Sequence, residues 1–214
     1  GGYLYFWNTG STTFNATGLI SGNYDCTVTA ANGCTQNSGN IFVSQPAQLV
    51  VTSSSTLVNC YGDNNATATV SVSGGTFPYT YFWNNGAPGS TAAGLSSGTY
   101  SCNITDANGC TINSGNIIIN QPSQLVVTSS NTSVSCYGGS NGSATVSVSG
   151  GTGIYTYSWN PGPQITPNAI GLISGTYVCS ITDGNGCPAT SQNIVVSQPL
   201  PLIITMSTTD VWCQ

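Results

Sequence analysis

Alternation of apolar and hydroxyl residues along the chain predicts short β-strands separated by turns. Residues 66–73 alternate Ala or Val with Thr or Ser, the pattern of a strand with one buried face. Clusters of Gly, Asn, Pro and Ser interrupt such runs, and one of them predicts a loop over 84–93. No stretch has helical periodicity. In the central part of the chain, strands are predicted at 49–58, 66–73, 79–83, 98–106 and 117–119.

The whole pattern repeats along the chain. Cys102 follows Cys26 by 76 residues, and Cys179 follows Cys102 by 77. A unit of this length can bury a small core of its own, so we predict tandem domains rather than a solenoid of short repeats. The predicted divisions are a partial repeat at 1–45, full β-sandwich repeats at 46–121 and 122–198, and the first strand of a further repeat at 199–214.

The phase of the repeats indicates a window on a longer chain. Tyr3–Trp7 corresponds to Tyr79–Trp83 in the middle of the next repeat, and Leu202–Thr205 corresponds to Leu49–Thr52 at the start of one. An alternative is head-to-tail completion, in which the C-terminal strand of one chain enters the incomplete first repeat of the next.

A tyrosine two residues before a cysteine recurs in every repeat. The three copies are Tyr24-Asp25-Cys26, Tyr100-Ser101-Cys102 and Tyr177-Val178-Cys179. In immunoglobulin folds a Tyr at this spacing forms the tyrosine corner. An Asn-Gly hairpin turn is predicted at Asp106–Gly109. The predicted fold class is therefore all-β, with tandem immunoglobulin-like antiparallel β-sandwich repeats of about 76 residues.

The chain carries almost no charge. It has no Lys, Arg or His, and its five acidic residues are all Asp, whereas about a quarter of the residues in an ordinary domain are charged. Nucleic acid is excluded as a partner, because binding phosphate needs a cationic surface. No apolar run approaches the roughly 20 residues of a membrane span, so membrane insertion is not predicted either. A surface hydrated by Ser, Thr, Asn and Gln suits self-assembly or a glycan coat.

Nine cysteines at repeating positions indicate an oxidising, extracellular compartment. The preferred disulfide candidates are the intra-repeat pairs Cys60–Cys102 and Cys136–Cys179, each closing a loop of roughly 40 residues.

Two other pairings remain open. Cys60 could bond Cys187 as a staple between neighbouring repeats, or Cys102 could bond Cys110 across its own hairpin. The thiol left over in each repeat is either buried and inert or a covalent link between chains. The linkage candidates are Cys34, Cys110, Cys187 and Cys213.

Catalysis is not predicted, because the residues it needs are missing. Without His, Lys, Arg or Glu the chain has no Ser-His-Asp or Cys-His arrangement and no cationic clamp for an oxyanion. No cofactor or metal site is predicted. Asp63, Asp106 and Asp183 are too few carboxylates for calcium, so we expect them to cap turns.

Aromatic residues divide into core and surface candidates. Trp83, Tyr79 and Tyr81 could form a sugar-stacking platform, but aromatic residues of a middle strand are predicted to belong to the core. Tyr61 and Tyr137 lie in predicted turns and are the better candidates for exposed contacts.

Five sequons are candidate glycosylation sites in an extracellular protein. They do not all recur in phase with the repeats, and a chain this rich in Asn, Ser and Thr contains some by chance. The acceptor residues are Asn15, Asn65, Asn103, Asn131 and Asn141.

Three spaced motifs are informative together: Cys60-Tyr61-Gly62, the run from Val70 to Trp83, and the run from Gly98 to Cys110. They resemble SprB-type repeats of the surface and gliding-motility adhesins of Bacteroidota. The segment from Pro78 to Trp83 is also similar to polycystic-kidney-disease-type immunoglobulin-like domains. The resemblance implies secretion, long stalks and cell-surface or filament roles, with no catalytic residues.

The predicted function is thus that of a non-catalytic extracellular structural repeat protein forming a stalk or filament on a bacterial surface. Its expected partners are other copies of itself and, in addition, glycans. The alternative is an adhesin module that binds polysaccharide or another cell surface.

Overall fold

The structure is a computed structural model that describes residues 2–209. All regular elements in this range are β-strands, as the residue pattern predicts. No helix within 2–209 is long and apolar enough to cross a membrane.

The first 45 residues form two small antiparallel sheets. Their strands are β1 (Tyr3–Trp7), β2 (Gly22–Tyr24), β3 (Cys26–Ala30), β4 (Thr35–Asn37) and β5 (Ile41–Val43). Strand β3 lies between β1 and β4, while β2 pairs with β5.

The next part of the chain contains eight strands. They are β6 (Val50–Ser55), β7 (Ala66–Ser73), β8 (Thr80–Trp83), β9 (Thr91–Leu95), β10 (Gly98–Tyr100), β11 (Cys102–Thr105), β12 (Thr111–Asn113) and β13 (Ile117–Ile119). Strand β7 lies between β6 and β9, β11 lies between β8 and β12, and β10 pairs with β13.

The same order recurs in the last full repeat. Its strands are β14 (Ser123–Thr132), β15 (Gly142–Gly151), β16 (Thr156–Asn160), β17 (Asn168–Leu172), β18 (Gly175–Thr182), β19 (Pro188–Thr190) and β20 (Ile194–Val196). One sheet has the order β14-β15-β17, and the other pairs β18 with β16, β19 and β20. In the preceding repeat, β10 and β11 occupy the place of the single strand β18.

The core of this last repeat lies between its two sheets. Alternate residues of β15, Ala144 and Val146, are buried together with Cys179 and Ile181 of β18. Trp159 of β16 belongs to the same cluster. Each strand buries only every second side chain, and the buried faces of the two sheets pack against each other. The repeat is therefore an antiparallel sandwich. The chain is thus an all-β protein of tandem immunoglobulin-like repeats.

The tyrosine corners predicted from the sequence are present. The Tyr177 hydroxyl donates a hydrogen bond to the Ile173 carbonyl oxygen at 3.1 Å. Tyr100 and Tyr24 make the equivalent bonds to Ser96 at 3.1 Å and to Ile20 at 2.7 Å. Each hydrogen bond joins the tyrosine hydroxyl to a carbonyl oxygen four residues earlier in the chain. The strand is therefore held by this contact as well as by its pairing with neighbouring strands.

Two local predictions are wrong. Part of the loop predicted over 84–93 is strand β9, in which Ala92 and Leu95 are buried. The turn at Asp106–Gly109 is not of the two-residue Asn-Gly type, which needs positive φ at both central residues. Only Gly109 has positive φ there, at 83°. Residues 106–110 connect the two strands, and the Asp106 N–H donates a hydrogen bond to the Cys110 carbonyl oxygen at 2.9 Å.

The chain forms two compact units. The first comprises residues up to Thr52 together with Ser71–Tyr81 and Asn103–Ser114. The second comprises Ser53–Val70, Phe82–Cys102 and residues from Gly115 onwards. The segment 46–121 therefore contributes to both units, whereas 122–198 lies entirely in the second.

Candidate functional site

The candidate site is a disulfide in the second unit. Cys60 follows the extended segment that contains β6, and Cys187 follows the hairpin turn after β18. Their sulfur atoms are 2.00 Å apart and their Cα atoms 5.6 Å apart. We call this bond, with the turns 59–63 and 183–187 that carry it, the disulfide junction.

The turn that presents Cys187 is held by one carboxylate. The Asp183 Oδ1 atom accepts hydrogen bonds from the backbone N–H groups of Asn185 and Cys187, both at 2.9 Å. Its Oδ2 atom accepts from the backbone N–H of Thr152 at 3.0 Å. A carboxylate that accepts several backbone N–H bonds fixes the loop around it, so Asp183 is a turn-capping residue as predicted.

The turn that presents Cys60 is held by two side-chain amides. The Gln121 Oε1 atom accepts a hydrogen bond from the Gly62 N–H at 2.8 Å, and the Asn65 Oδ1 atom accepts one from the Asn59 N–H at 3.0 Å. Gly62 has a φ of 83°, a conformation that favours glycine.

The two turns also contact each other directly. The Asn185 Nδ2 group donates a hydrogen bond to the Asn59 carbonyl oxygen at 3.0 Å, and the Cys187 sulfur lies 3.5 Å from the same oxygen. The acceptor is a backbone atom, so the contact does not depend on the identity of the side chain at position 59.

Both preferred disulfide pairings are wrong. Cys60 bonds Cys187, which is the staple between neighbouring repeats, and the bond Cys60–Cys102 therefore does not form. Cys136 and Cys179 are not bonded to each other. The reason is burial: the Cys102 and Cys179 side chains are 0% exposed within the core, whereas Cys136 lies exposed in a turn.

Cys187 was a candidate for linking chains, and this prediction is wrong because it bonds Cys60 of the same chain. Two of the other linkage candidates lie at the surface. Cys34 and Cys110 have free, exposed thiols at the positions that correspond to Cys187. The pairing of Cys102 with Cys110 is thus also wrong. Cys213 lies outside the residues that the structure describes.

Comparison with known proteins identifies the repeat. The family model described as SprB repeat matches residues 52–88 and again residues 128–164. Both segments are thus similar to SprB repeats. The resemblance predicted from the sequence is confirmed, and each matched segment includes the turn with Cys60 or Cys136. No curated protein sequence matches the chain.

The solved structures to which the chain is similar share little sequence with it. The N-terminal eight Ig domains of Down syndrome cell adhesion molecule are 13% identical, with 92% of this chain and 33% of that chain covered and a TM-score of 0.41. For a C-terminal fragment of intimin in complex with the intimin-binding domain of its translocated receptor, identity is 11%, coverage 82% and 57%, and TM-score 0.32. For domains 1–6 of the surface layer protein SbsC, identity is 18%, coverage 94% and 35%, and TM-score 0.30. The chain spans less than two thirds of each of these structures.

Of the aromatic residues predicted to belong to the core, Trp83 is buried, whereas Tyr79 and Tyr81 are half-buried. Trp83 is 0% exposed, and its Nε1–H donates a hydrogen bond to the Gly89 carbonyl oxygen at 2.9 Å. Tyr61 and Tyr137 are 53% and 59% exposed. Tyr61 lines a groove beside the disulfide junction together with Asp63 and Pro122.

The five candidate glycosylation residues are exposed, and two of them also support cysteine turns. Asn65 holds the backbone of Asn59, and Asn141 holds the backbone of Ser135 with its Oδ1 atom at 3.0 Å. The Asn131 Nδ2 group donates a hydrogen bond to the Val195 carbonyl oxygen. Glycosylation at these positions stays a prediction.

The glutamines that precede Pro122 and Pro199 are structural residues that the sequence pattern alone does not reveal. Gln121 and Gln198 hold the turns of Cys60 and Cys136 through their side chains, each at 2.8 Å. The signal that could have revealed this role is their recurrence in phase with the cysteines.

The hydrogen bonds that hold the hairpin turns also lower the pKa values of the Asp183 and Asp106 carboxyl groups. Burial acts to raise the pKa of Asp183, but hydrogen bonds from the backbone N–H groups of Cys187, Thr152 and Asn185 outweigh it and lower the pKa. The pKa of Asp106 is lowered chiefly by the Thr76 N–H, against the opposing effect of burial. A pKa that is lower in the folded state stabilises the fold above the unfolded pKa of about 3.9 and ceases to do so as pH falls through the folded value.

We therefore expect stability to be flat between about pH 5 and pH 8 and to fall below about pH 4. Asp183→Asn should be less stable than the parent chain at neutral pH, and the difference should shrink as the pH falls toward 2. Thermal unfolding followed by circular dichroism across this range tests the prediction. Asp25→Asn, at a carboxylate outside the hairpin turns, is the matched control. An equal deficit of Asp183→Asn at pH 2 and pH 7 would contradict the electrostatic explanation.

Proposed function

We propose that the protein is a non-catalytic extracellular structural repeat protein that forms a stalk or filament on a bacterial surface. The observation that carries the proposal is the Cys60–Cys187 bond, which connects positions 127 residues apart in two successive repeats. A cross-link of this kind restricts hinging in a way that a short linker alone does not. Such restriction is useful to an element that must keep its direction over several repeats.

An extracellular location is supported by the disulfide and by the SprB repeats. Disulfides persist in oxidising compartments, and the family resemblance implies secretion and a surface role. The nearly uncharged surface favours contact between copies of the protein, because like-charge repulsion is weak. Other copies of the chain are therefore the partners we propose first.

A non-catalytic role is supported by the distribution of reactive groups. The chain has no His, Lys, Arg or Glu, the residue types that would activate a Ser or Cys nucleophile or stabilise an oxyanion. Asp106 and Asp183, whose environments alter their pKa, use their oxygens to cap turns.

Electron microscopy of the protein isolated from the cells that make it tests the stalk proposal. We expect extended, periodic rods whose bending increases after reduction, because reduction opens the disulfide junction. Tracing the rods with and without reductant gives the change in persistence length. Rods with the same flexibility in both conditions would contradict a stiffening role, and compact particles without periodicity would contradict the stalk itself.

The adhesin alternative is favoured by one observation, the exposure of Tyr61 and Tyr137 in equivalent turns. Exposed aromatic rings stack on sugars, and Tyr61 adjoins a groove lined by both polar and apolar residues. If the repeats bind polysaccharide, Tyr61→Ala with Tyr137→Ala should abolish retention on it. Phe82→Ala, which removes an aromatic residue 69% exposed on strand β8, is the control and should leave retention unchanged.

A further inference from the structure

Both cysteines of the disulfide junction have counterparts in the other repeats. Cys136 lies 76 residues after Cys60, and Cys110 lies 77 residues before Cys187. The junction joins the first cysteine of one repeat to the last cysteine of the repeat that follows it. If the same rule holds for the other repeats, the bonding partners of Cys136, Cys110 and Cys34 lie outside the described residues. The thiols of these three cysteines are free and exposed.

The turn of Cys136 already has the conformation of a bonded turn. The Gly138 N–H donates to the Gln198 Oε1 atom at 2.8 Å, the same distance as in the pair Gly62 and Gln121. The Ser135 N–H donates to the Asn141 Oδ1 atom at 3.0 Å, as Asn59 does to Asn65. This half of a junction is therefore built before any partner arrives.

The turn of Cys110 is preformed in the same way. The Asp106 Oδ1 atom accepts hydrogen bonds from the N–H groups of Asn108 at 2.9 Å and Cys110 at 2.8 Å. The corresponding distances around Asp183 are both 2.9 Å. The turn of Cys34 has Ala30 in place of this Asp, and the Cys34 N–H donates to the Asn32 Oδ1 atom at 3.2 Å instead.

The bonded cysteine is more buried than the unbonded cysteines at the equivalent positions. Cys187 is only 6% exposed, whereas Cys110 and Cys34 are exposed. The Asn108 Nδ2 group donates to the Thr76 hydroxyl at 3.0 Å within its own unit, where Asn185 donates to the backbone of the Cys60 turn. A matching turn would thus bury the thiol and offer the asparagine a backbone acceptor.

We propose that Cys136, Cys110 and Cys34 are half-sites of a disulfide ladder that joins this chain to further copies of the repeat. Cys136 bonds a thiol at the position of Cys187, and Cys110 and Cys34 each bond a thiol at the position of Cys60. The partner thiol is defined by its position in the repeat, whether or not the assembly is a stalk.

Each bond forms by thiol–disulfide exchange with an oxidised disulfide of another thiol compound. The two cysteine thiols lose two protons and two electrons and form one S–S bond. The oxidant's S–S bond breaks, and its sulfurs take up those protons and electrons as two thiols.

Oxidation of the purified 214-residue chain with oxidised glutathione tests the pairing rule. The experiment uses the Cys213→Ser variant. Matched intermolecular bonds join Cys136 to Cys110 or Cys34, and unmatched bonds join Cys136 to Cys136 or Cys110 to Cys110. We expect matched bonds to exceed unmatched bonds by about tenfold, since complementary turns raise the effective concentration of the matched thiols. Non-reducing electrophoresis and mass spectrometry of linked peptides give the ratio. Cleavage at Asp and at aromatic residues is needed, because the chain has no Lys or Arg.

Single variants check the assignment. Cys136→Ser should abolish the multimers, and Cys110→Ser should leave only those linked through Cys34. Cys179→Ala removes a buried thiol and should change nothing. Equal amounts of matched and unmatched bonds would overturn the proposal.

The protein isolated from its source distinguishes the two origins of the partner repeat. Linked peptides that persist in a single unreduced chain place the partner in the same chain, whereas multimers that collapse on reduction place it in another. Both results support the ladder. Recovery of Cys136 and Cys110 as alkylated free thiols from native material would overturn it, even if extended rods are seen.

Discussion

Replacing Cys60 by Ser should lower the free energy of unfolding of the second unit by about 5 kcal/mol at 25 °C. The bond closes a loop between positions 127 residues apart. On the chain-entropy model, a longer loop gives a larger stabilisation, because more conformations of the unfolded chain are excluded. Urea denaturation followed by circular dichroism measures the change.

Two comparisons isolate the contribution of this bond. Cys136→Ser removes a free, exposed thiol in the equivalent turn and should change stability by less than about 0.5 kcal/mol. Reductant should destabilise the parent chain to the level of Cys60→Ser and leave that variant unaffected. If reductant weakens Cys60→Ser by as much as the parent, the stability does not come from the Cys60–Cys187 bond.

The sequence was sufficient for the fold because its local signals agree. The strand predicted from the alternation over 66–73 has the same bounds as strand β7. The Tyr-x-Cys motif corresponds to a hydrogen-bonded tyrosine corner in every copy. Strand β9 was missed because Ala92, Ala93 and Gly94 have low β propensity. The strand forms because Thr91, Ala92 and Leu95 pair with β7.

The disulfide pairing could not be chosen from the sequence, because it depends on which surfaces meet. The immunoglobulin pattern pairs the cysteine after the corner tyrosine with one on a facing strand. Here the buried face of β15 carries Ala144 and Val146, so the Cys179 thiol packs as a small apolar group in the core. Burial raises the pKa of Cys179, which disfavours the reactive thiolate. Disulfide bonds are therefore expected from the accessible cysteines of the turns rather than from the buried cysteines.

Trp159→Ala should cost about 4 kcal/mol in the free energy of unfolding of the second unit. The Trp159 side chain is 2% exposed between the two sheets, and its Nε1–H donates a hydrogen bond to the Thr166 carbonyl oxygen at 2.9 Å. Removing it leaves a cavity and an unpaired carbonyl. Trp159→Phe keeps most of the volume and should cost less than half as much, and denaturant unfolding of both variants measures the difference.

Comparing Trp159→Ala with Tyr137→Ala separates a core role from a sugar-stacking role. Tyr137→Ala, at an exposed turn residue, should change stability by less than about 0.5 kcal/mol. A binding platform would show the opposite ranking, with Trp159→Ala stable but unable to retain polysaccharide. Because Trp159 is enclosed by both sheets, a loss of polysaccharide binding in this variant should appear only with loss of the fold. Retained stability with lost binding would place the indole at the surface and contradict the sandwich core described here.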